Sequence, residues 1–95
     1  MNRLVLSGKL AARGALRYTP AGLPALDLTL QHASDASHEG TVRKVSLEIR
    51  ALALGELAAP VGAMPLGSEA LYAGFLATGR NGRGLVFHLT SVEPV

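Results

Sequence analysis

The sequence predicts an all-β domain whose five strands close into a small barrel, and three observations support that prediction. Short segments alternate apolar and polar residues, the period of strands that bury one face. Turns rich in glycine and proline separate these segments. The least regular stretch, residues 51–67, is interrupted by Gly55, Pro60, Gly62 and Pro65, so it holds no long helix.

The first predicted strand is long and strongly curved. Leu4, Leu6 and Leu10 share one face of it. Gly8 occupies the remaining alternate position, and a glycine inside a strand commonly marks a bulge or a bend. The strand is followed by a turn at residues 19–24, where proline near both ends excludes a helix.

The second and third predicted strands each bury one face. The alternation runs from Leu26 to His32 in the second strand and from Val45 to Ile49 in the third. Residues 34–40 between them are polar and end in glycine, so we expect an exposed, mobile hairpin loop there. The residues predicted to face inward are Leu26, Leu28, Leu30, His32, Val45, Leu47 and Ile49.

A connector is predicted between the third and fourth strands. Residues 51–59 include helix-favouring types, so either the third strand continues to about Leu54 or a short helix begins there. We favour continuation of the strand, followed by a connector with room for one helical turn. Gly67-Ser68-Glu69 then leads into the fourth strand.

The last two strands carry the strongest hairpin signal in the chain. Residues 71–78 and 85–92 are rich in β-branched and aromatic side chains, and the loop between them holds three glycines and an Asn-Gly step. Arg80 and Arg83 lie in that loop. Glycines let a backbone approach a phosphate chain closely, and arginine offers several charge-assisted donors, so this loop is predicted to bind phosphates.

The few aromatic and histidine residues have different predicted places. Phe75 and Phe87 are assigned to the core, while His88 should face outward because it is opposite in phase to Phe87. His32 ends an inward-facing row and is predicted to be a partly buried, structural histidine. Tyr18, beside a loop, is the aromatic residue best placed to stack on a base.

Basic residues fall into three groups along the chain, separated by segments that carry acids. If the fold brings the groups together, the surface gains a basic stripe suited to a polyanion. The alternative is an ordinary mixed surface, since the net charge is only +2. The grouped residues are Lys9, Arg13, Arg17, Arg43, Lys44, Arg50, Arg80 and Arg83.

Composition excludes several function classes. At 95 residues, the chain 1–95 is predicted to form a single domain. The absence of cysteine excludes disulfides, thiolate zinc sites and cysteine catalysis, and fits the cytoplasm. The three histidines lack ligand spacing, and no hydroxyl, histidine and acid form a catalytic pattern, so we expect no metal, no cofactor and no enzyme activity. The short apolar run at the N-terminus predicts neither a signal peptide nor a membrane span.

A long curved first strand, a connector after the third strand and a final hairpin fit the oligonucleotide-binding (OB) barrel. In that fold the ligand typically crosses the second and third strands between the first and last hairpin loops, which in this chain are the basic regions. A small barrel of the SH3 type is the alternative, since periodicity does not separate the two.

Six segments of the chain, taken together, resemble primosomal replication protein N, the PriB family, in order and spacing. They are residues 2–8, 20–24, 30–32, 67–68, 74–76 and 81–82. The family is similar to single-stranded DNA-binding proteins of the SSB type. The resemblance implies an OB fold, a homodimer, and a role in restarting stalled replication forks by bridging the helicase PriA, single-stranded DNA and the loader DnaT.

The resemblance also carries over residue by residue. Arg17 corresponds to a basic residue that the family uses on DNA, and Arg80 and Arg83 occupy the family's basic last loop. Some members have aromatic residues where this chain has Thr41 and Ser46. Another departure is Ala33, where some members have an arginine. Base stacking is often worth ~1–3 kcal/mol per base, so binding should be weaker or depend more on phosphate contacts.

The resulting prediction is an accessory protein that binds single-stranded DNA without sequence preference and bridges it to PriA, with DnaT and SSB as further candidate partners. The alternatives are a protein-interaction OB module with weak DNA contact and an RNA-binding barrel. Val5, Leu76 and Val86, outward and apolar, are the candidate subunit contacts. The predicted DNA-binding residues are Arg13, Arg17, Tyr18, Arg43, Lys44, Arg50, Arg80 and Arg83.

Overall fold

The computed structural model describes residues 1–79, 82 and 84–95, and its strands form one sheet that closes on itself. The sheet order is β1-β5-β6-β4-β3-β2, and an additional pairing of β1 with β3 closes a five-stranded barrel, with the two-residue β2 at its margin. The predicted all-β OB barrel is therefore confirmed. The strands are β1 (Leu4–Arg13), β2 (Arg17–Tyr18), β3 (Pro24–His38), β4 (Thr41–Leu54), β5 (Glu69–Thr78) and β6 (Leu85–Pro94).

Strand β1 closes the barrel because it bends and pairs with two partners. Its first half, from Leu4 to Lys9, pairs with β5, and its second half, from Lys9 to Arg13, pairs with β3. The register with β3 shifts between Leu10 and Ala12. A Cβ at Gly8 would lie 2.9 Å from the carbonyl oxygen of Gln31, so glycine permits the close approach of β3 at the bend.

Strands β3 and β4 form a long ribbon whose far end projects from the barrel. Pairing continues to His38 and Thr41, and the two-residue turn Glu39-Gly40 has positive φ at both positions, 49° and 77°. The prediction of a loop over residues 34–40 is therefore wrong, since β3 continues to His38 and only Glu39 and Gly40 form the turn. Both faces of the far ribbon are exposed. Its residues therefore show no alternation of apolar and polar side chains, although the backbones of β3 and β4 pair along its whole length.

The connector has the predicted form. Strand β4 continues to Leu54, a 3₁₀ turn covers Gly55–Leu57, and α1 covers Ala58–Gly62 with Val61 fully buried. No helix in the described part of the chain is long and apolar enough to span a membrane.

In β1 and β3 the residues predicted to face inward are the ones that face the core, but in β5 the opposite set faces inward. Tyr72 and Phe87 are fully buried, while Phe75 lies on the outer face and Leu76 packs against the core. Both alternating sets of β5 are apolar, so periodicity could not choose between them. Leu47, predicted to face inward, is 39% exposed because it pairs with His32, beyond which the ribbon is exposed on both faces.

The hydroxyl of Tyr72 gives a first prediction. Its oxygen is buried with no hydrogen-bond partner among the described residues, and this burial raises the pKa of Tyr72. An unpaired buried hydroxyl costs free energy, so Tyr72→Phe should leave the free energy of unfolding unchanged or raise it by about 1 kcal/mol. Urea denaturation would measure this. A loss above about 1 kcal/mol would show that the hydroxyl makes a stabilising bond.

Candidate nucleic-acid interface

A groove of about 620 Å³ crosses the outer surface where β1, β3, β4 and β6 meet the end of β5. Arg13, Arg17 and Arg50 line it, together with one acid, Asp27, so its charged lining has an excess of positive charge. Gly79, the residue before the last hairpin loop, also lines it. Segments that are far apart in the sequence, at residues 13–17, 50 and 79, therefore contribute to one surface, as the binding of a polyanion requires.

Arg17 is held in place by Asp27. Its Nε and Nη2 donate to the two carboxylate oxygens at 3.0 and 3.1 Å, a bidentate pair. The hydrogen bond to Asp27 raises the pKa of Arg17, so the guanidinium stays charged. Two of the five guanidinium N–H donors are used, and the remaining three can bind a phosphate. The register of the two-residue β2 brings Asp27 to Arg17, and nothing in the sequence pattern indicated it.

Arg13 is half-buried and bonds to the connector. Its Nη1 donates to the carbonyl oxygen of Met64 at 2.6 Å, and that of Val61 lies at 3.5 Å. The side chain therefore fixes the end of α1 against β1. Its place in the groove lining leaves its other donors on the same surface as Arg17.

The remaining predicted site residues do not all meet at the groove. Arg50 is exposed and lines it, whereas Arg43 and Lys44 lie on the projecting ribbon, where Lys44 Nζ is 3.6 Å from an oxygen of Asp35. Tyr18 is 67% exposed and follows Arg17, but it is not part of the lining. Arg80 and Arg83 lie outside the described residues.

A second hollow, of about 580 Å³, is less suited to a polyanion. Its charged lining consists of Lys9, Glu48 and Glu69, and Lys9 is 3.9 Å from Glu69. His32 lies in it, with Nδ1 2.6 Å from the carbonyl oxygen of Ser7 and Nε2 2.7 Å from the hydroxyl of Ser34. Because a carbonyl only accepts, Nδ1 is the donor. The prediction of a partly buried, structural His32 is confirmed.

Known proteins place this fold and its sequence in one family. A family model described as another single-strand binding protein family matches residues 2–91. The replication restart protein PriB of Bordetella pertussis is 50% identical over 80 residues, covering 84% of this chain and 75% of that protein. The PriB of Nitrosomonas europaea is 33% identical over 89 residues, covering 93% and 82%. This chain belongs to the PriB family.

Solved structures agree with the PriB assignment. PriB from Ralstonia solanacearum superimposes with a TM-score of 0.91 at 36% identity, covering 99% of this chain and 97% of that one. The single-stranded DNA binding protein from Thermus aquaticus gives a TM-score of 0.77 at 28% identity, with all of this chain matching 50% of that one. The predicted family and its SSB-like fold are both confirmed.

Proposed function

We propose that this PriB-family chain binds single-stranded DNA along the groove, without sequence preference, as an accessory of replication restart. The main support is the excess of arginine in a groove that crosses the strands of an SSB-like barrel. The charged lining residues are suited to phosphates, which are identical along any strand. Binding of this kind tracks the backbone and is independent of base sequence.

Electrostatic contact should outweigh base stacking in this chain. Of its four phenylalanine and tyrosine residues, only Tyr18 is strongly exposed. A site with few stacking surfaces depends mainly on counterion release, so its affinity falls steeply with salt.

The proposed partners follow from the family. In this proposal the chain forms a homodimer, acts in the cytoplasm, and bridges DNA to the helicase PriA, with DnaT and SSB as further partners. Val5, 49% exposed on β1, is an apolar position that a second subunit could cover, whereas Val86 on β6 lines the groove. Analytical ultracentrifugation would test the dimer.

A second candidate function is a protein-interaction module that stimulates the helicase with weak DNA contact. It is favoured by the internal bonds of two groove arginines, since Arg17 is paired with Asp27 and Arg13 with a backbone carbonyl. A pull-down with PriA, at a salt concentration that abolishes DNA binding, separates the two functions. Persistence of the helicase complex supports the second.

The last hairpin loop provides the test of the proposed function. In the Arg80→Ala, Arg83→Ala double variant we expect oligo-dT, oligo-dA and oligo-dC to lose affinity by about the same factor, because the lost contacts are to phosphates. The slope of log K against log salt should become shallower by up to about 1.4, about 0.7 for each contact. Fluorescence anisotropy measures both quantities. Unchanged affinity would exclude the loop from the site.

A further inference from the structure

An aromatic pair stands on the outer face of the barrel. Phe75 on β5 and His88 on β6 occupy directly opposed positions, and their rings stack with centroids 4.5 Å apart and planes 14° from parallel. Both side chains are half-buried, so the stacked pair is packed on the sheet and still reaches the surface. A ring held in this way has lost most of its rotational freedom before any ligand arrives.

The strand register connects this pair to the cationic groove. His88 pairs with Leu52 on β4, and Leu52 pairs with Asp27 on β3, the residue that holds Arg17. Adjacent strands lie about 4.8 Å apart, so the backbone of His88 lies about 10 Å from that of Asp27 across the sheet. His88 also lines the groove, as does Arg50.

We propose that His88 is a base-stacking residue of the groove and that Phe75 is a positioning residue that holds the imidazole ring. The proposal rests on the proposed function and adds, to the phosphate contacts of the arginines, a flat aromatic surface for a base next to the phosphate path. Stacking of this kind accepts any base, because every base has a π-face. It provides a stacking surface in a chain whose only strongly exposed phenylalanine or tyrosine is Tyr18, which does not line the groove.

The proposal predicts that His88 contacts the base of the nucleotide and not its phosphate. We compare oligo-dT with an abasic oligonucleotide of the same length, which keeps the phosphates and lacks the bases. His88→Ala should weaken oligo-dT binding about fivefold and leave the abasic strand unchanged, because only stacking is lost. His88→Phe should restore the preference for oligo-dT. His38→Ala, which removes an exposed histidine at the end of the ribbon, is the matched control and should change neither affinity.

Phe75→Leu tests the positioning role. It should lower the preference for oligo-dT over the abasic strand while the thermal midpoint of unfolding stays within a few degrees, since a leucine still covers the sheet at this half-buried position. Equal losses for both oligonucleotides in the His88 variant, or an unchanged ratio in both variants, would overturn the proposal. If the unmodified protein bound neither oligonucleotide, the proposed function itself would be wrong.

Discussion

Replacing Gly74 with alanine is expected to destabilise the fold by about 3 kcal/mol or more. A Cβ at this position would overlap the carbonyl oxygen of His88, and it would lie 2.8 Å from the carbonyl carbon of His88 and 3.0 Å from Cα of Leu89. All three are backbone atoms of the paired strand β6, so no rotation of a side chain relieves the clash. Urea denaturation would measure the loss of unfolding free energy.

The clash at Gly74 has a structural origin that links stability to the site. The register of β5 with β6 shifts between Ala73 and Gly74, and the irregularity brings the two backbones together immediately before the Phe75–His88 pair. An added methyl group would have to separate the strands at that point. We therefore expect any residual folded fraction of the variant to lose the stacked arrangement as well.

Gly62→Ala is the matched control for this prediction. A Cβ there would meet only Cδ2 of Leu26, at 3.8 Å, an ordinary contact. Because alanine favours helix over glycine, this variant should be neutral or more stable by up to about 1 kcal/mol. Similar stabilities of the two variants would contradict the close approach of β5 and β6.

Removing Arg17 and Arg50 together is expected to weaken binding of oligo-dT about thirtyfold at 0.1 M salt. Each lost phosphate contact accounts for about fivefold at this salt concentration. The loss of affinity should exceed the product of these two fivefold factors, because Arg17→Ala leaves the carboxylate of Asp27 without the partner that now neutralises it. The described charged lining would then consist of Arg13 and Asp27, whose charges cancel, so the groove would no longer attract phosphates.

Two further variants make this prediction specific. Asp27→Asn removes the one carboxylate among the described residues that line the groove, and it should raise the affinity for oligo-dT. Arg3→Ala removes an arginine that is exposed but does not line the groove, so it should have a small effect. If Arg3→Ala and Arg50→Ala gave equal losses in anisotropy titrations, binding would depend on net charge and not on the groove.

Much of the fold could be predicted because the strands of the barrel proper bury one face and expose the other. The alternation from Leu26 to Leu30 continues into a fully buried face, and the glycine at position 8 marks the bend that closes the sheet. Prediction failed where that asymmetry ends. The far ribbon exposes both faces, and β5 is apolar on both, so neither the ribbon nor the outward Phe75 had a sequence signal.

The basic charge of the site could be predicted from the sequence, but the ion pair between Arg17 and Asp27 could not. Three basic groups could be located from the sequence, and the fold brings Arg13, Arg17 and Arg50 to one groove. The pairing of Arg17 with Asp27 depends on a two-residue strand whose register no periodicity specifies. The separate position of Arg43 follows from the projecting ribbon, because Arg43 pairs with Ala36, a residue of the segment 34–40 that the sequence predicts as a loop.

The salt dependence of oligo-dT binding tests most directly whether the groove is the DNA site. The unmodified chain should give a steep negative slope of log K against log salt, and the Arg17→Ala, Arg50→Ala variant a slope shallower by about 1.4. Equal slopes for the two proteins, with Arg3→Ala as the reference, would show that DNA does not lie along the groove.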